Sequence, residues 1–361
     1  MIELEKRVEA FEKLGEILRN IDDIEFINDL KDDAVREKAL KLNTLTQTVG
    51  YHNGWFTPPM VITALRSLGE SLQKDKLEKW LSPYKEELAK QKTPKTVAVI
   101  MAGNVPAVGF HDFLSVLISG NRLLGKLSSE DDKLLKAISE ILTAMEPGFE
   151  GFITLTGEVI KGFDAVIATG SNNSARYFEY YFGKYPGIIR KNRNGVAVLT
   201  GRETEEELQK LTDDIFLYYG LGCRNVARLF VPKDYDFNTL LKAIAKRKEV
   251  IDNHKYFNNY EYNKAIFLVN NTPHFDTGNL LLTENNSFAS PVSVLYYSFY
   301  EDEQALRNEL MLNREHIQCV VSSANFLDEK TKPGKSQSPE LWDYADGVDT
   351  VKFLMGLHHE K

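Results

Sequence analysis

From Thr96 to Tyr181 short apolar runs alternate with amphipathic stretches, and this alternation restricts the fold more than any other feature of the chain. Val97 to Met101 is a β-branched run that ends in the turn Ala102-Gly103-Asn104-Val105-Pro106 and gives way to a helix-like stretch from His111 to Gly120. Arg122 to Lys126 reads as the next strand, with Ser128 and Ser129 after it and a helical face of Leu134, Leu135, Ile138, Ile141 and Leu142. Asp164 to Thr169 is a third strand, closed by Gly170-Ser171 and followed by a helix through Tyr181. Strands separated by helices must be joined by crossovers, which predicts a mostly parallel sheet with helices on both faces. Ligands of such sheets bind beyond the carboxyl ends of the strands, where the polar turns fall. No GxGxxG follows any of these strands, so a nucleotide-binding domain is an expectation from fold class alone.

The pattern starts again at Gly195. Val196 to Leu199, Ala227 to Val231, Ile266 to Val269, Val292 to Tyr297 and Ile317 to Val321 read as strands, with helices over Glu203 to Tyr219 and Phe237 to Lys248. Ahead of both lobes, Leu4, Val8, Phe11, Leu14, Leu18 and Ile21 mark one face of an amphipathic docking helix, and Pro58-Pro59 opens another. The expected organisation is a helical segment over 1–95, a nucleotide-binding domain over 96–199, a catalytic domain over 200–325 and a C-terminal return segment over 326–361.

The stretch Tyr218 to Arg228 carries the chemistry. Cys223 follows Gly220-Leu221-Gly222, and glycines there allow a tight loop that a substrate can approach. A helix starting at or just after Cys223, together with Arg224, would lower the thiol pKa below its free value of about 8.5. A small buried hydrophobe on a connecting turn is the competing reading. Cys319 alternates with Ile317 and Val321 and reads as core.

Two cysteines form no disulfide framework, which points to a reducing compartment and hence to the cytoplasm. The net charge of −8, with no dense Lys/Arg block, gives no footprint for nucleic acid. No apolar run approaches the roughly 20 residues of a membrane span. The seven histidines lack metal-ligand spacing, so no metal is expected, and His358 and His359 fall at the end of the chain. His111 and His254 are open as contacts for a thioester or cofactor.

The ordered set of Asn104-Val105-Pro106, Lys126 with its two serines, Ala168-Thr169-Gly170-Ser171, the Gly220 to Cys223 loop and Ala289-Ser290-Pro291-Val292 resembles the aldehyde dehydrogenase superfamily. The wording GLGCRNVARLFVP, with the DYADGVDT tail, resembles its LuxC-type acyl-CoA reductase branch. The resemblance implies an α/β, aldehyde dehydrogenase-like fold of two Rossmann-like parallel-sheet lobes with an N-terminal helical segment. It implies Cys223 as nucleophile and Asn104 as the neutral oxyanion donor beside the cysteine N–H. Lys126, Ser128 and Ser129 match positions around the adenosine ribose, and Gly170 and Ser171 lie near the pyrophosphate.

Three departures from the superfamily pattern matter. The segment that often supplies a carboxylate to activate water has none between Ile188 and Leu199. Ala175 stands where a glycine is common, and Glu284 lies seven residues before Pro291, three further than a cofactor-ribose glutamate would. The implied activity is reduction of an acyl-CoA, or another acyl-thioester, to an aldehyde with NADP, NAD remaining open, inside a homo-oligomer or multienzyme complex. The alternatives are an NAD(P)-dependent aldehyde dehydrogenase giving acid or acyl phosphate, and a non-catalytic cofactor-binding subunit.

Overall fold

The computed structural model describes residues 2–90 and 93–358, so His359 lies outside the described residues. The chain divides into two units, Met1–Lys191 with Pro339–Lys361, and Asn192–Ser338. In the first unit β1 (Thr96–Ile100), β2 (Arg122–Lys126), β3 (Ile153–Thr156), β4 (Ala165–Thr169) and β5 (Gly187–Arg190) form one sheet in the order β3-β2-β1-β4-β5. Every neighbouring pair is parallel. β1 is central, and Val97, Ala98 and Val99 are fully buried, which is why the strand from Val97 to Ile100 is apolar instead of alternating. The chain steps from β1 to β2 and β3 on one side, then restarts at β4 on the other. Strand order therefore reverses beside β1, which is where an open sheet leaves a crevice for a ligand.

The N-terminal helices belong to this unit. Leu4–Arg19 buries Phe11, Leu14 and Leu18 in the same core as Val97, Phe113 and Ile138, and Phe11 meets the rings of Phe113 and Phe149 edge-on at 6.4 and 5.9 Å. Each such side chain contributes about 1.5–3 kcal/mol through burial. Pro58 and Pro59 do open a helix, Pro58–Ser71. The C-terminal helix Thr350–Gly356 packs here as well, burying Val351 and Leu354. It is tied down by Arg190, which is buried and donates to both oxygens of Asp112 at 2.6 and 3.0 Å and to Thr350 Oγ1 at 3.2 Å. An arginine paired bidentately in the interior holds its partners in one geometry, and removing either partner leaves a buried charge.

The second unit is a sheet of β6 (Asn194–Val198), β7 (Val226–Pro232), β8 (Phe275–Asp276), β9 (Leu281–Glu284), β10 (Val294–Tyr300) and β11 (Ile317–Val321), in the order β11-β6-β7-β10-β9-β8. Its pairs are parallel except β8 with β9, which makes this sheet mixed where a parallel lobe was expected. The strand expected at Ile266 to Val269 is instead the end of the helix His254–Val269, and its apolar residues Leu268 and Val269 face outward at 60% and 80% exposure. The residues of β6 pair with β7 and β11, so they stand in the second unit although the expected boundary was 199; residues 326–338 also stay there, and the return begins at Pro339. No helix among the described residues is long and apolar enough to cross a membrane.

Candidate functional site

Cys223 is exposed on the turn that leads into β7. The turn is closed twice: Asn225 N–H donates to the Gly222 carbonyl at 3.0 Å, and Gly222 N–H donates to Asn225 Oδ1 at 2.8 Å. Asn225 is buried, and its Nδ2 donates to the carbonyls of Asp214, Ile215 and Leu217 at 3.0, 3.3 and 2.9 Å. Those carbonyls lie at the end of the helix Glu205–Phe216, where intrahelical partners run out. One side chain thus ends the helix and shapes the cysteine turn. Sequence reasoning passed over Asn225, although a polar residue between a turn and a buried strand was the available signal.

The helix itself is well begun, with a capping box between Thr204 and Glu207. It then stops abruptly, because Tyr218, Tyr219 and Gly220 have φ of 53, 58 and 76°. A left-handed conformation costs a side-chain-bearing residue about 1–2 kcal/mol. Both tyrosines are buried, and Tyr219 packs 6.0 Å from the Tyr256 ring, so packing offsets that cost. Burial pushes the Tyr218 hydroxyl pKa up. In the last turn of this helix, the buried Asp214 carboxylate accepts from Gly334 and Ser336 N–H at 2.6 and 2.9 Å, and burial raises its pKa.

No helix begins at Cys223, contrary to one sequence expectation, because Asn225 closes the turn and Val226–Pro232 enters the sheet. The helix N-terminus expected to favour a thiolate is therefore absent. Gly195 in β6 lies under the turn: a Cβ there would be 2.6 Å from the Arg224 carbonyl oxygen and 2.8 Å from that of Asn225. Cys319 pairs in register with Gly195, and its thiol donates to the same Arg224 carbonyl at 3.7 Å. It is half-buried and supports the turn, where a core side chain was expected.

Glu284 is exposed at the carboxyl end of β9. It is level with Tyr297 of β10, which is level with Leu229 of β7. That register puts Glu284 about 10 Å along the sheet and about 10 Å across it from Val226. The cysteine turn enters β7 at Val226, and its Arg224 and Asn225 carbonyls face Gly195 of β6, the neighbour of β7 away from β10.

In the first unit Asn104 is exposed in the turn after β1, and Lys126 ends the adjacent β2. Lys126 Nζ donates to the Gly157 carbonyl at 3.0 Å. Ser128 Oγ accepts from Glu130 N–H at 3.2 Å, while Ser129 is exposed. Gly170 and Ser171 follow β4, on the other side of β1; Gly170 N–H reaches the Arg190 carbonyl at 3.4 Å, and Ser171 is the N-cap of the helix Asn172–Phe182, accepting from Ser174 N–H at 3.2 Å. Ala175 is fully buried in that helix. The expected residues of this unit are therefore gathered on one sheet edge, at the reversal of strand order. A lysine, hydroxyls and a helix N-terminus there form a donor set that suits a dinucleotide's ribose and phosphates. His111 is occupied elsewhere: its Nε2 is 3.0 Å from the Leu341 carbonyl and its ring lies 5.7 and 5.8 Å from those of Trp80 and Tyr344. His254 is exposed at the first turn of His254–Val269.

One residue missed by sequence reasoning stands behind Asn104. Asp131 is buried, with Oδ2 accepting from Ala107 N–H at 2.7 Å and Oδ1 from Leu134 N–H at 3.3 Å, and desolvation raises its pKa to about 6. Nothing in the run Ser128-Ser129-Glu130-Asp131-Asp132 marks this carboxylate as the buried one.

No family model and no curated protein matches the sequence. Solved structures do. Aldehyde dehydrogenase 21 of Physcomitrella patens, in complex with the reaction product succinate, aligns over 97% of this chain and 84% of its own at 13% identity and a TM-score of 0.61. An indole-3-acetaldehyde dehydrogenase mutant of P. syringae, in complex with NAD+, covers 91% and 74% at 14% identity and a TM-score of 0.57. A 1-pyrroline-5-carboxylate dehydrogenase mutant of Thermus thermophilus covers 98% and 84% at 14% identity and a TM-score of 0.55. At such identities the likeness is one of architecture, and the architecture of this chain is the aldehyde dehydrogenase-like α/β fold.

Proposed function

We propose that this protein is a nicotinamide-dependent reductase of the LuxC type, which converts an acyl-CoA, with a fatty acyl group favoured, to the aldehyde through an acyl-cysteine. The observation that carries the reading is the exposed Cys223 thiol on a turn fixed by Asn225 and by the missing side chain of Gly195, within an aldehyde dehydrogenase-like fold. The Cys223 thiolate adds to the thioester carbonyl carbon, the carbon–sulfur bond to coenzyme A breaks, and the leaving thiolate takes up a proton. Asn104 is the proposed neutral donor to the oxygen that becomes negative during addition.

Lys126, Ser128 and Ser129 would hold the adenosine ribose, and Gly170 and Ser171 the pyrophosphate. Bound there, a reduced nicotinamide supplies the hydride that takes the acyl group to aldehyde. NADP is the proposed form. Ser129 stands where a glutamate would repel a 2′-phosphate, and Lys126 adds attraction once it leaves the Gly157 carbonyl. The NAD+ in the P. syringae relative supports a nicotinamide cofactor in general.

An aldehyde dehydrogenase making an acid is the second reading, favoured by the relatives of that name. The placement of Glu284 away from the cysteine turn weighs against it. A panel of acyl-CoAs with NADPH and with NADH, followed by cofactor absorbance and aldehyde together, tests the proposal. Equal consumption of NADPH and appearance of aldehyde is the expected result; oxidation of aldehydes to acids without CoA, and no reduction of any thioester, would overturn it.

A further inference from the structure

The turns after β1 and β2 are joined by a single buried carboxylate. Ala107 has φ 53°, a left-handed conformation that a residue with a Cβ adopts only when its surroundings hold it there. It is buried, three residues beyond Asn104, and its N–H donates to Asp131 Oδ2 at 2.7 Å. Asp131 in turn is bound to the other turn, donating its own N–H to the Ser128 carbonyl at 3.2 Å, and to the helix Leu134–Met145 through Leu134 N–H at 3.3 Å. The turns also touch directly: a Cβ on Gly103 would lie 2.6 Å from Ser128 Oγ and 2.7 Å from Ser128 Cβ.

We propose that Asp131 is a positioning residue that sets the Asn104 turn and the Ser128-Ser129 turn in one arrangement, so that the oxyanion donor and the cofactor-ribose contacts are placed together. The proposal rests on the reductase reading for the roles of those two turns. A carboxylate suits the task because N–H groups from two separate chain segments converge on it, one on each oxygen. An asparagine in its place keeps an acceptor for Ala107 but turns its Nδ2 donors toward Leu134 N–H. An alanine leaves both N–H groups without their acceptor and releases the left-handed Ala107 from its restraint. Asp131 reaches the chemistry only through Asn104 and Ser128; it need not touch substrate.

A double-mutant cycle tests this with Asp131→Ala, Asn104→Ala and the pair, using the single-turnover rate at which palmitoyl-CoA acylates Cys223 without cofactor. Asp131→Ala should slow acylation at least tenfold while thermal unfolding stays cooperative. It should add less than threefold to the loss already caused by Asn104→Ala, because both changes remove one placed donor. NADPH binding, followed by its fluorescence, should weaken at least threefold in Asp131→Ala, with Asp131→Asn between it and wild type in both readouts. Should Asp131→Ala fail to fold, Asp131→Asn takes its place in the cycle. Losses that multiply fully in the double mutant, or wild-type rates in a folded Asp131 variant, would overturn the proposal. If wild type is never acylated at Cys223, the reductase reading fails, and unchanged NADPH binding in the variants would then dismiss the positioning role separately.

Discussion

The Cys319 thiol points at the carbonyl oxygen of Arg224, 3.7 Å away, and so supports the turn that exposes Cys223. The two thiols of the chain thus differ in kind. Cys223 is presented to solvent, whereas Cys319 is half-buried and spends its proton on a backbone oxygen.

Acylation and alkylation should therefore fall on Cys223. Mixing with acyl-CoA in the absence of reduced cofactor, followed by peptide mass spectrometry, should place the adduct there. Brief treatment with iodoacetamide should label Cys223 at least tenfold faster than Cys319. An acyl adduct on Cys319 would remove the basis for the mechanism.

Gly195→Ala should disturb the nucleophile out of proportion to its effect on the rest of the chain. The added methyl would sit 2.6 Å from the Arg224 carbonyl, so the turn must shift and the Gly195 N–H bond to the Asn225 carbonyl, 3.0 Å long, must stretch. Overpacking of this kind costs about 1–3 kcal/mol. The expected result is a lowered midpoint in urea and a Cys223 alkylation rate changed severalfold, while the Cys319 rate rises because its carbonyl partner moves. Unchanged labelling of both thiols would show that the turn tolerates a side chain at 195.

Asp131 makes stability depend on pH in a definite direction. Its folded pKa, about 6, lies above the ordinary 3.8 because burial disfavours the charged form, with Asp132 adding repulsion. The folded protein binds this proton more tightly than the unfolded chain, so the contribution is fully present below about pH 4 and is lost as pH rises through 6, a swing of about 3 kcal/mol. Asp131→Asn has no such proton. Urea unfolding at pH 4, 5, 6 and 7 should show the variant gaining on wild type as pH rises; parallel profiles would mean that Asp131 is ionised throughout.

The acyl-enzyme should pass to hydride or to a thiol far more readily than to water. General-base assistance is worth about 10² to 10⁴ in rate. Of the residues at the segment that lacks a carboxylate, Arg190 is engaged with Asp112 and Thr350 and, as an arginine, is no base. With Glu284 displaced across the sheet from the cysteine turn, slow loss of the acyl group in buffer is expected, with rapid release on adding CoA or NADPH. Fast appearance of free fatty acid in buffer alone would favour the hydrolytic reading.

Much of this architecture is legible in the chain. Arg122–Lys126 and Ile317–Val321 are strands with the expected bounds, and Val97–Val99 in β1 show the rule that a buried parallel strand is written as a short apolar, β-branched run. The same rule misleads at Ile266 to Val269, where the apolar run closes a helix and faces outward. The helix His254–Val269 carries no apolar stripe to announce itself, with Tyr262, Leu268 and Val269 all exposed. β3 and β5 were not foreseen: Ile153–Thr156 is only four residues long, and β5 ends in a charged residue that local sequence gives no reason to bury. Asp131, Asn225 and Arg190 share that difficulty. Each is polar and buried; Asp131 and Arg190 find partners in other segments, Ala107 and Thr350, whereas the partners of Asn225 lie a short way back, at the end of the preceding helix.

Because Asn225 hangs the cysteine turn from the carbonyls that end Glu205–Phe216, the reactivity of the thiol is tied to fraying of that helix. Its last turn must stay wound for the loop to keep its form, and the left-handed Tyr218 and Tyr219 follow it directly. Openings of this end, too brief to alter the average structure, would release the loop and the nucleophile together. Amide hydrogen exchange at Leu217 to Arg224 would then share a single opening rate, and the lifetime of the wound helix end would set how long Cys223 stays in working form.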